Sequence, residues 1–336
     1  MRIIISRSDA IGDVMLTLPM LGFLKQEIPD CHITFIGRAY TKAIINMCEY
    51  VDSFINADEL LTASPEEAVS SLQNVKADCI INVFPQKQIA RLALKAKIPI
   101  RIGTSHRLFH WFTCNKLIAL GRKNSDSHES ELNMRLIKPI IKSIPDKALW
   151  NYVSLAQPNI DSSFLKTLLD EKKVNLIIHP KSKGSAREWP AKHYQELIQE
   201  LNQAGFNLIL TGTNAEGELF MSQINHTPNE VKISFGKLSL QQLLLLIAHA
   251  DGLLACSTGP LHIAAAYGKL AMGIYPPIRP MHPGRWAPIG KKVKIFCLKK
   301  TCNLCRTNLN CTCISDIHPN EIKSYILNQF MQIDEQ

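Results

Sequence analysis

Apolar residues fall along this chain in two alternating patterns. Short continuous runs, such as "RIIIS" (2–6), are followed by longer segments whose apolar residues return at the spacing of one helix face. Continuous runs read as strands buried on both faces, and their alternation with helices implies a mainly parallel sheet with helices on either side. In the first half the predicted strands are 2–6, "CHITFIG" (31–37), "VDSFINA" (51–57), "DCIINVF" (78–84) and "IPIRIG" (98–103). Helices are predicted over 39–48, 66–76 and 86–97. Gly12–Glu27 also reads as helix through Val14, Leu18, Leu21 and Leu24, kinked or divided at Pro19.

The strand signal fades over Asn151–Lys173, which reads as a linker, and then restarts. Strands follow at "VNLIIHP" (174–180), "FNLILTG" (206–212), "DGLLAC" (251–256) and "LAMGIYP" (270–276). Helices are predicted over 190–203, 239–249 and 260–267, with a last one over about 319–331. The expected organisation is an N-terminal domain over 1–160, a second over 161–318, and a terminal helix and tail over 319–336. Two doubly wound α/β domains in tandem place a ligand in a cleft facing the carboxyl ends of their strands.

Composition narrows the class. The 336 residues are 46% hydrophobic and 20% charged, ordinary for a globular protein. No apolar run reaches the ~18–20 residues that span a bilayer, and the N-terminus lacks a signal-peptide cleavage site, so a cytosolic protein is expected. The net charge of +9 favours anionic partners such as nucleotides, phosphorylated lipids or a membrane face. Basic residues thicken over Lys87–Arg122, but no RNA-binding signature accompanies them, which ranks nucleic acid low. Ten cysteines without a secretion signal point to reduced thiols.

Three breaks in the apolar pattern carry candidate chemistry. In "SRSDAIGDVML" (6–16) a strand gives way to a loop with Gly12, and Asp13 enters the next helix. Asp13 reads either as a cap of that helix that favours its dipole or, at the first strand-to-helix turn, as a general base. In "HPKSKGSAREWP" (179–190) a buried strand runs into a loop with Lys181, Lys183 and Arg187 among small residues, the composition a pyrophosphate asks for. In "LLACSTGPLHIAAAYG" (253–268), Ser257 or Thr258 is positioned to cap a helix whose first turn holds Gly259, Pro260 and His262. Open amides at a positive helix end suit a diphosphate. Glu216 or Glu218, after the strand at 206–212, reads equally as a ribose or base contact and as a solvated carboxylate.

Taken together and in this order, these motifs resemble the ADP-heptose:lipopolysaccharide heptosyltransferases, the inverting family 9 glycosyltransferases. "RSDAIGDVMLTLPML" resembles their N-terminal Arg-x-Asp-x-x-Gly-Asp signature, and "HESELNMRLI" (128–137) the segment closing their first domain. "HPKSKGSAREWP", "STGPLHIAAAYG" and "CISDIHPNEI" (313–322) are similar to their second-domain motifs. The resemblance implies a GT-B fold, two Rossmann-like doubly wound domains facing a cleft. It also implies transfer of a heptose from ADP-heptose to the lipopolysaccharide inner core, at the cytoplasmic side and with peripheral contact to the inner membrane. No metal or other cofactor is implied, the ADP-sugar being a substrate. Asp13 falls on the proposed base. Arg187 falls where the family has a basic residue contacting phosphate, and Thr258, Gly259 and His262 fall in its diphosphate-binding turn, while Lys183, Glu216, Ser257 and Pro260 join the donor side by their own places in these loops. Arg101, Arg107 and Arg135 are candidates for acceptor phosphates. Well-studied members carry an aspartate where this chain has Ser257, which leaves the donor's base and sugar open.

"CNLCRTNLNCTC" (302–313) places Cys302, Cys305, Cys311 and Cys313 close together. Four thiolates can close a zinc site, but these spacings are tighter than in zinc ribbons, so thiols or a structural pair are expected rather than metal. Three other readings stand beside the heptosyltransferase. A family 9 transferase with another nucleotide-sugar donor would keep every motif. A non-catalytic sugar-nucleotide- or zinc-binding regulator would keep the fold without turnover. A dinucleotide oxidoreductase fits poorly, because "SRSDAIGD" lacks Gly-x-Gly-x-x-Gly.

Overall fold

The structure is a computed structural model that describes residues 1–122, 125–143, 145–279, 281–299, 302, 304 and 311–331. The chain divides into two compact units, Met1–Ala156 and Gln157–Gln336.

The first unit is built on six parallel strands: β1 (Arg2–Ser6), β2 (His32–Gly37), β3 (Ser53–Asn56), β4 (Cys79–Asn82), β5 (Ile100–Thr104) and β6 (Lys116–Ile118). They lie in the order β3-β2-β1-β4-β5-β6. β1 is central, pairing Ile3–Ser6 with both β2 and β4, and its three isoleucines are wholly buried. The chain runs outward from β1 to β3 and then crosses back to β4, so the switch point lies between β1 and β4. The predicted helix over 12–27 is divided, into Ile11–Met15 and Leu18–Glu27, with Pro19 in the first turn of the second piece. There the missing amide costs nothing. Gly22 lets this helix approach the segment that closes the unit. A Cβ at Gly22 would stand 2.2 Å from the Tyr152 carbonyl oxygen, while Phe23 packs edge-on against the Tyr152 ring at 5.4 Å.

The second unit repeats this plan with β7 (Asn175–His179), β8 (Asn207–Leu210), β9 (Lys232–Ile233), β10 (Gly252–Cys256), β11 (Leu270–Ile274) and β12 (Val293–Phe296). The order is β12-β11-β10-β7-β8-β9. Renumbered from its own first strand, this is the order of the first sheet, with the switch point between β7 and β10. Its core is aromatic, with Trp189, Tyr194, Phe220 and Phe296 enclosed. The helix Pro319–Phe330 is part of this unit rather than a separate appendage. Ile322 and Ile326 are buried in the core, and Lys323 pairs with Glu200 on the neighbouring helix at 2.9 Å.

The sequence pattern misses β6, β9 and β12. All three are outermost strands of two to four residues whose positions are mostly half-exposed or exposed, so no continuous apolar run marks them.

Candidate active site

At the carboxyl end of β1 the chain turns through Arg7–Ala10 into the helix Ile11–Met15. Ala10 occupies the N-cap position, so Asp13 stands inside the first turn and does not serve as the cap. Its carboxylate is bonded instead by the Arg7 guanidinium. Arg7, only 2% exposed, also donates to Asp9 at 2.8 Å, to Glu129 at 3.0 Å and to Asn133 at 3.3 Å. Arg122 reaches the same Glu129 at 3.0 Å and donates to the Asn133 amide oxygen at 2.7 Å. Asn133 in turn donates to the Leu16 carbonyl at 3.0 Å, tying the network to the end of the Asp13 helix.

Three carboxylates therefore share two guanidiniums at the switch point. Burial acting alone would lower the Arg7 pKa, but Asp9, Asp13 and Glu129 outweigh it and hold the guanidinium charged. Burial pushes Asp9 up to about 6 against the pull of Arg7, and the neighbouring Asp13 charge adds to the rise. Glu129 is fully enclosed, whereas the Asp13 side chain keeps 20% of its surface open. The arrangement fixes the Asp13 carboxylate in place and presents one part of it to the outside.

Sequence reasoning missed Arg7, Asp9, Arg122, Glu129 and Asn133. Arg7 lies 122 residues from Glu129, so nothing local signals their pairing. The motif "RSDAIGD" held the signal as a charged residue directly after a buried strand.

The proposed acceptor arginines separate in the structure. Arg101 sits near the amino end of β5, where its guanidinium donates to the Thr113 carbonyl at 2.8 Å and to the Ile98 carbonyl. It braces the strand to the following turn at the opposite end from the site, which removes it from the acceptor candidates. Arg107 lies beyond the carboxyl end of β5 and is exposed, and Arg135 is exposed and donates to the Ser127 hydroxyl at 2.7 Å.

In the second unit the loops after β7 and β10 meet at the switch point. The Trp189 amide contacts the Cys256 sulfur at 3.4 Å, joining the end of the basic loop to the end of β10. Within that loop Lys181 is committed internally. It is buried and donates to Glu188 at 2.9 Å and to Gln223 at 2.8 Å. Glu188 also accepts from the Ser182 amide and hydroxyl, each at 2.9 Å, so it organises the loop from inside. Lys183 is exposed and holds φ +50, with Gly184 behind it at φ +78. The left-handed backbone at a lysine costs of order 1 kcal/mol.

The strand β7 ends in His179, whose Nδ1 lies 3.0 Å from the Thr211 hydroxyl. Burial, reinforced by Lys183 and opposed by Glu216, pulls its pKa down to about 4, so the imidazole is neutral at pH 7. Glu216 closes a capping box with Thr213, accepting from its amide at 2.8 Å and its hydroxyl at 2.7 Å. One of its oxygens is thus spent on the helix start. Glu218 pairs instead with Asn214 at 2.7 Å on the exposed side of that helix.

Thr258 stands at the N-cap of the helix Gly259–Ala266, yet its side chain makes no capping bond, contrary to the sequence expectation. The hydroxyl is buried and has no hydrogen-bond partner among the described residues. Ser257 is half-buried beside it and bonds to the Tyr275 phenol. Gly259 and Pro260 form the first turn, and His262 follows with 4% exposure. A buried hydroxyl with an unused hydrogen-bonding capacity therefore lies at the positive end of this helix.

The sulfurs of Cys302, Cys311 and Cys313 lie within 4.8 Å of one another. Cys311 and Cys313 are buried against Ile278. Cys305 lies outside the described residues.

The profile of glycosyltransferase family 9 (heptosyltransferase) matches residues 67–313. The chain belongs to this family. It is a glycosyltransferase, and its two doubly wound units are those of the GT-B fold. A putative glycosyltransferase of Haemophilus influenzae is 25% identical over 302 residues, covering 86% of each chain. The lipopolysaccharide core heptosyltransferase OpsX of the same organism is 24% identical over 87% of this chain and 84% of its own. Among solved structures, Escherichia coli ADP-heptose lipopolysaccharide heptosyltransferase II superposes with a TM-score of 0.79 at 19% identity, covering 99% of both chains. E. coli heptosyltransferase WaaC with ADP gives 0.70 at 17% identity, covering 98% of this chain and 99% of its own.

Proposed function

We propose that this family 9 enzyme transfers a heptose from ADP-heptose to the inner core of lipopolysaccharide, with inversion, at the cytoplasmic side of the membrane. The observation that carries the donor half is the buried, unpartnered Thr258 hydroxyl at the start of the Gly259–Ala266 helix. It stands at the switch point beside the loop of Lys183 and Arg187, where a diphosphate would complete its hydrogen bonding. The domain after about residue 160 takes the donor and the one before it the acceptor.

In the reaction, an acceptor hydroxyl oxygen attacks the anomeric carbon while the bond from that carbon to the diphosphate breaks. Asp13 takes the hydroxyl proton, with Arg7 holding its carboxylate in position. General-base help of this kind is worth about 10²–10⁴-fold. ADP leaves with increased negative charge, which Lys183, Arg187 and the amides of Thr258 and Gly259 stabilise. Glu216 keeps an oxygen for the ribose, and Arg107 and Arg135 serve acceptor phosphates. No step calls on a metal or a further cofactor.

A second reading rests on Ser257. Where this chain has a serine in place of an acidic residue, the donor's sugar or base differs from ADP-heptose. The test is ADP release from ADP-heptose with a heptose-deficient lipopolysaccharide acceptor, beside GDP- and UDP-sugars. Release with ADP-heptose alone supports the main reading, and turnover with another donor alone replaces it. Donor binding without turnover of any donor would make the protein a sugar-nucleotide-binding regulator.

A further inference from the structure

The helix Leu108–Thr113 is built inside out. A helix on the surface of a globular protein turns its apolar stripe inward. Here Leu108, Trp111 and Phe112, spaced i, i+3 and i+4, are exposed by 77%, 60% and 76%. The polar His110 and Thr113 point inward instead and are buried. His110 bonds to the Thr104 carbonyl at 3.0 Å, and the Trp111 indole N–H to the Ser105 carbonyl at 2.9 Å. With its only polar atom bonded to the protein, the Trp111 ring offers the outside a purely apolar surface.

Beside it packs the helix Lys87–Lys95. Lys87, Arg91 and Lys95 fall on one stripe, at i, i+4 and i+8, and all three are exposed. Like charges at this spacing repel, and among the described residues none of the three makes an ion pair. Residues 79–122 contain eight Lys and Arg and no Asp or Glu, against a net charge of +9 for the whole chain. Elsewhere the two signs nearly cancel. The excess charge of the molecule is thus concentrated in the segment that carries the exposed Leu, Trp and Phe.

We propose that this face docks the first unit on an anionic lipid bilayer. Leu108, Trp111 and Phe112 enter the headgroup–acyl boundary, and the Lys87–Arg91–Lys95 stripe meets the lipid phosphates. No described helix is long and apolar enough to cross a membrane, so attachment is interfacial and reversible. Apolar insertion and charge attraction act together, the two-signal logic of peripheral binding. The inference is independent of the donor and acceptor identities and holds for any substrate presented at a bilayer.

The test is cosedimentation of the full chain with vesicles of phosphatidylglycerol and phosphatidylethanolamine, compared with phosphatidylcholine alone, at 0.1 M and 0.5 M salt. Expected is partitioning onto the anionic vesicles that weakens at the higher salt. The double variant Lys87→Glu/Arg91→Glu lowers the partition coefficient about tenfold or more, and so does Leu108→Ser/Phe112→Ser. All four residues are exposed, and circular dichroism checks that the fold is kept. Equal binding to neutral and anionic vesicles, or variants that bind as the wild type does, overturns the proposal. So does a wild-type dimer that Leu108→Ser/Phe112→Ser converts to monomer while vesicle binding is absent, since the face would then join two copies.

Discussion

At the end of β1 the chain buries an arginine among three carboxylates, whereas at the end of β7, the equivalent strand of the same topology, it buries a neutral histidine behind a cationic loop. In the first unit the polar groups satisfy one another. Arg7, Arg122, Asp9, Asp13, Glu129 and Asn133 leave little unpaired, and what faces outward is part of Asp9, Asp13 and Arg122. In the second unit a donor is held in reserve, the Thr258 hydroxyl, and the cations Lys183 and Arg187 stand on a loop braced from within by Lys181–Glu188. A closed network suits a group that must hold one position while it moves a proton. An open cationic turn suits a ligand that arrives with its own charge and hydrogen-bond acceptors. On the proposed function, the same strand order supports two tasks, which the loops after the first and fourth strands set apart.

The comparison breaks most sharply at Asp13. Asp13→Asn keeps the size and the Arg7 contact but removes the base, so turnover falls by about 10²–10⁴-fold in steady-state assays with little change in donor affinity. Arg7→Met leaves Asp9, Asp13 and Glu129 facing one another without their shared cation. Breaking a buried pair in this way costs about 3–5 kcal/mol, read as a lowered midpoint in chemical denaturation. The matching change in the second unit is smaller. Thr258→Val removes an unused hydroxyl, so it leaves stability unchanged or slightly raised while weakening ADP binding by about 1 kcal/mol.

The two edges also titrate in opposite directions. Asp9 rises to about 6 in the folded protein, above its unfolded value, so its contribution is full at about pH 4 and is lost as pH rises through 6. His179 falls to about 4, below its unfolded value, so its contribution is full above about pH 6.5 and is lost as pH falls toward 4. Each is worth up to about 3 kcal/mol, and between pH 4 and 6 they oppose. In denaturation curves across this window, Asp9→Asn uncovers a decline toward acid that His179 causes. His179→Asn uncovers a gain toward acid that Asp9 causes. Parallel curves for both variants and the wild type would remove either group from the pH response.

The frame was legible because buried parallel strands need continuous apolar runs, and β1, β7 and β10 advertise themselves in that way. Outer strands such as Lys232–Ile233 carry no such signal, because one edge faces water and the side chains answer to solvent. Of the site, the local parts could be read: the Gly12–Asp13 turn, the basic loop and the Ser257–Gly259 break. The long-range partners could not. Nothing in "RSDAIGD" says that Arg7 will meet Glu129 and Asn133, and nothing in "HPKSKG" says that Lys181 will be spent on Glu188. Arg101 misled for a related reason. A strand residue's position along the strand, at the amino or carboxyl end of the sheet, matters as much as its charge.

The central claim is a division of labour, with donor binding in the second unit and proton transfer in the first. Titration calorimetry of ADP into the wild type, Asp13→Asn and Arg187→Ala tests it most directly. The account predicts unchanged affinity for Asp13→Asn and a loss of about tenfold or more for Arg187→Ala, the worth of a charge-assisted phosphate contact. Weakened ADP binding in Asp13→Asn together with wild-type affinity in Arg187→Ala would contradict it.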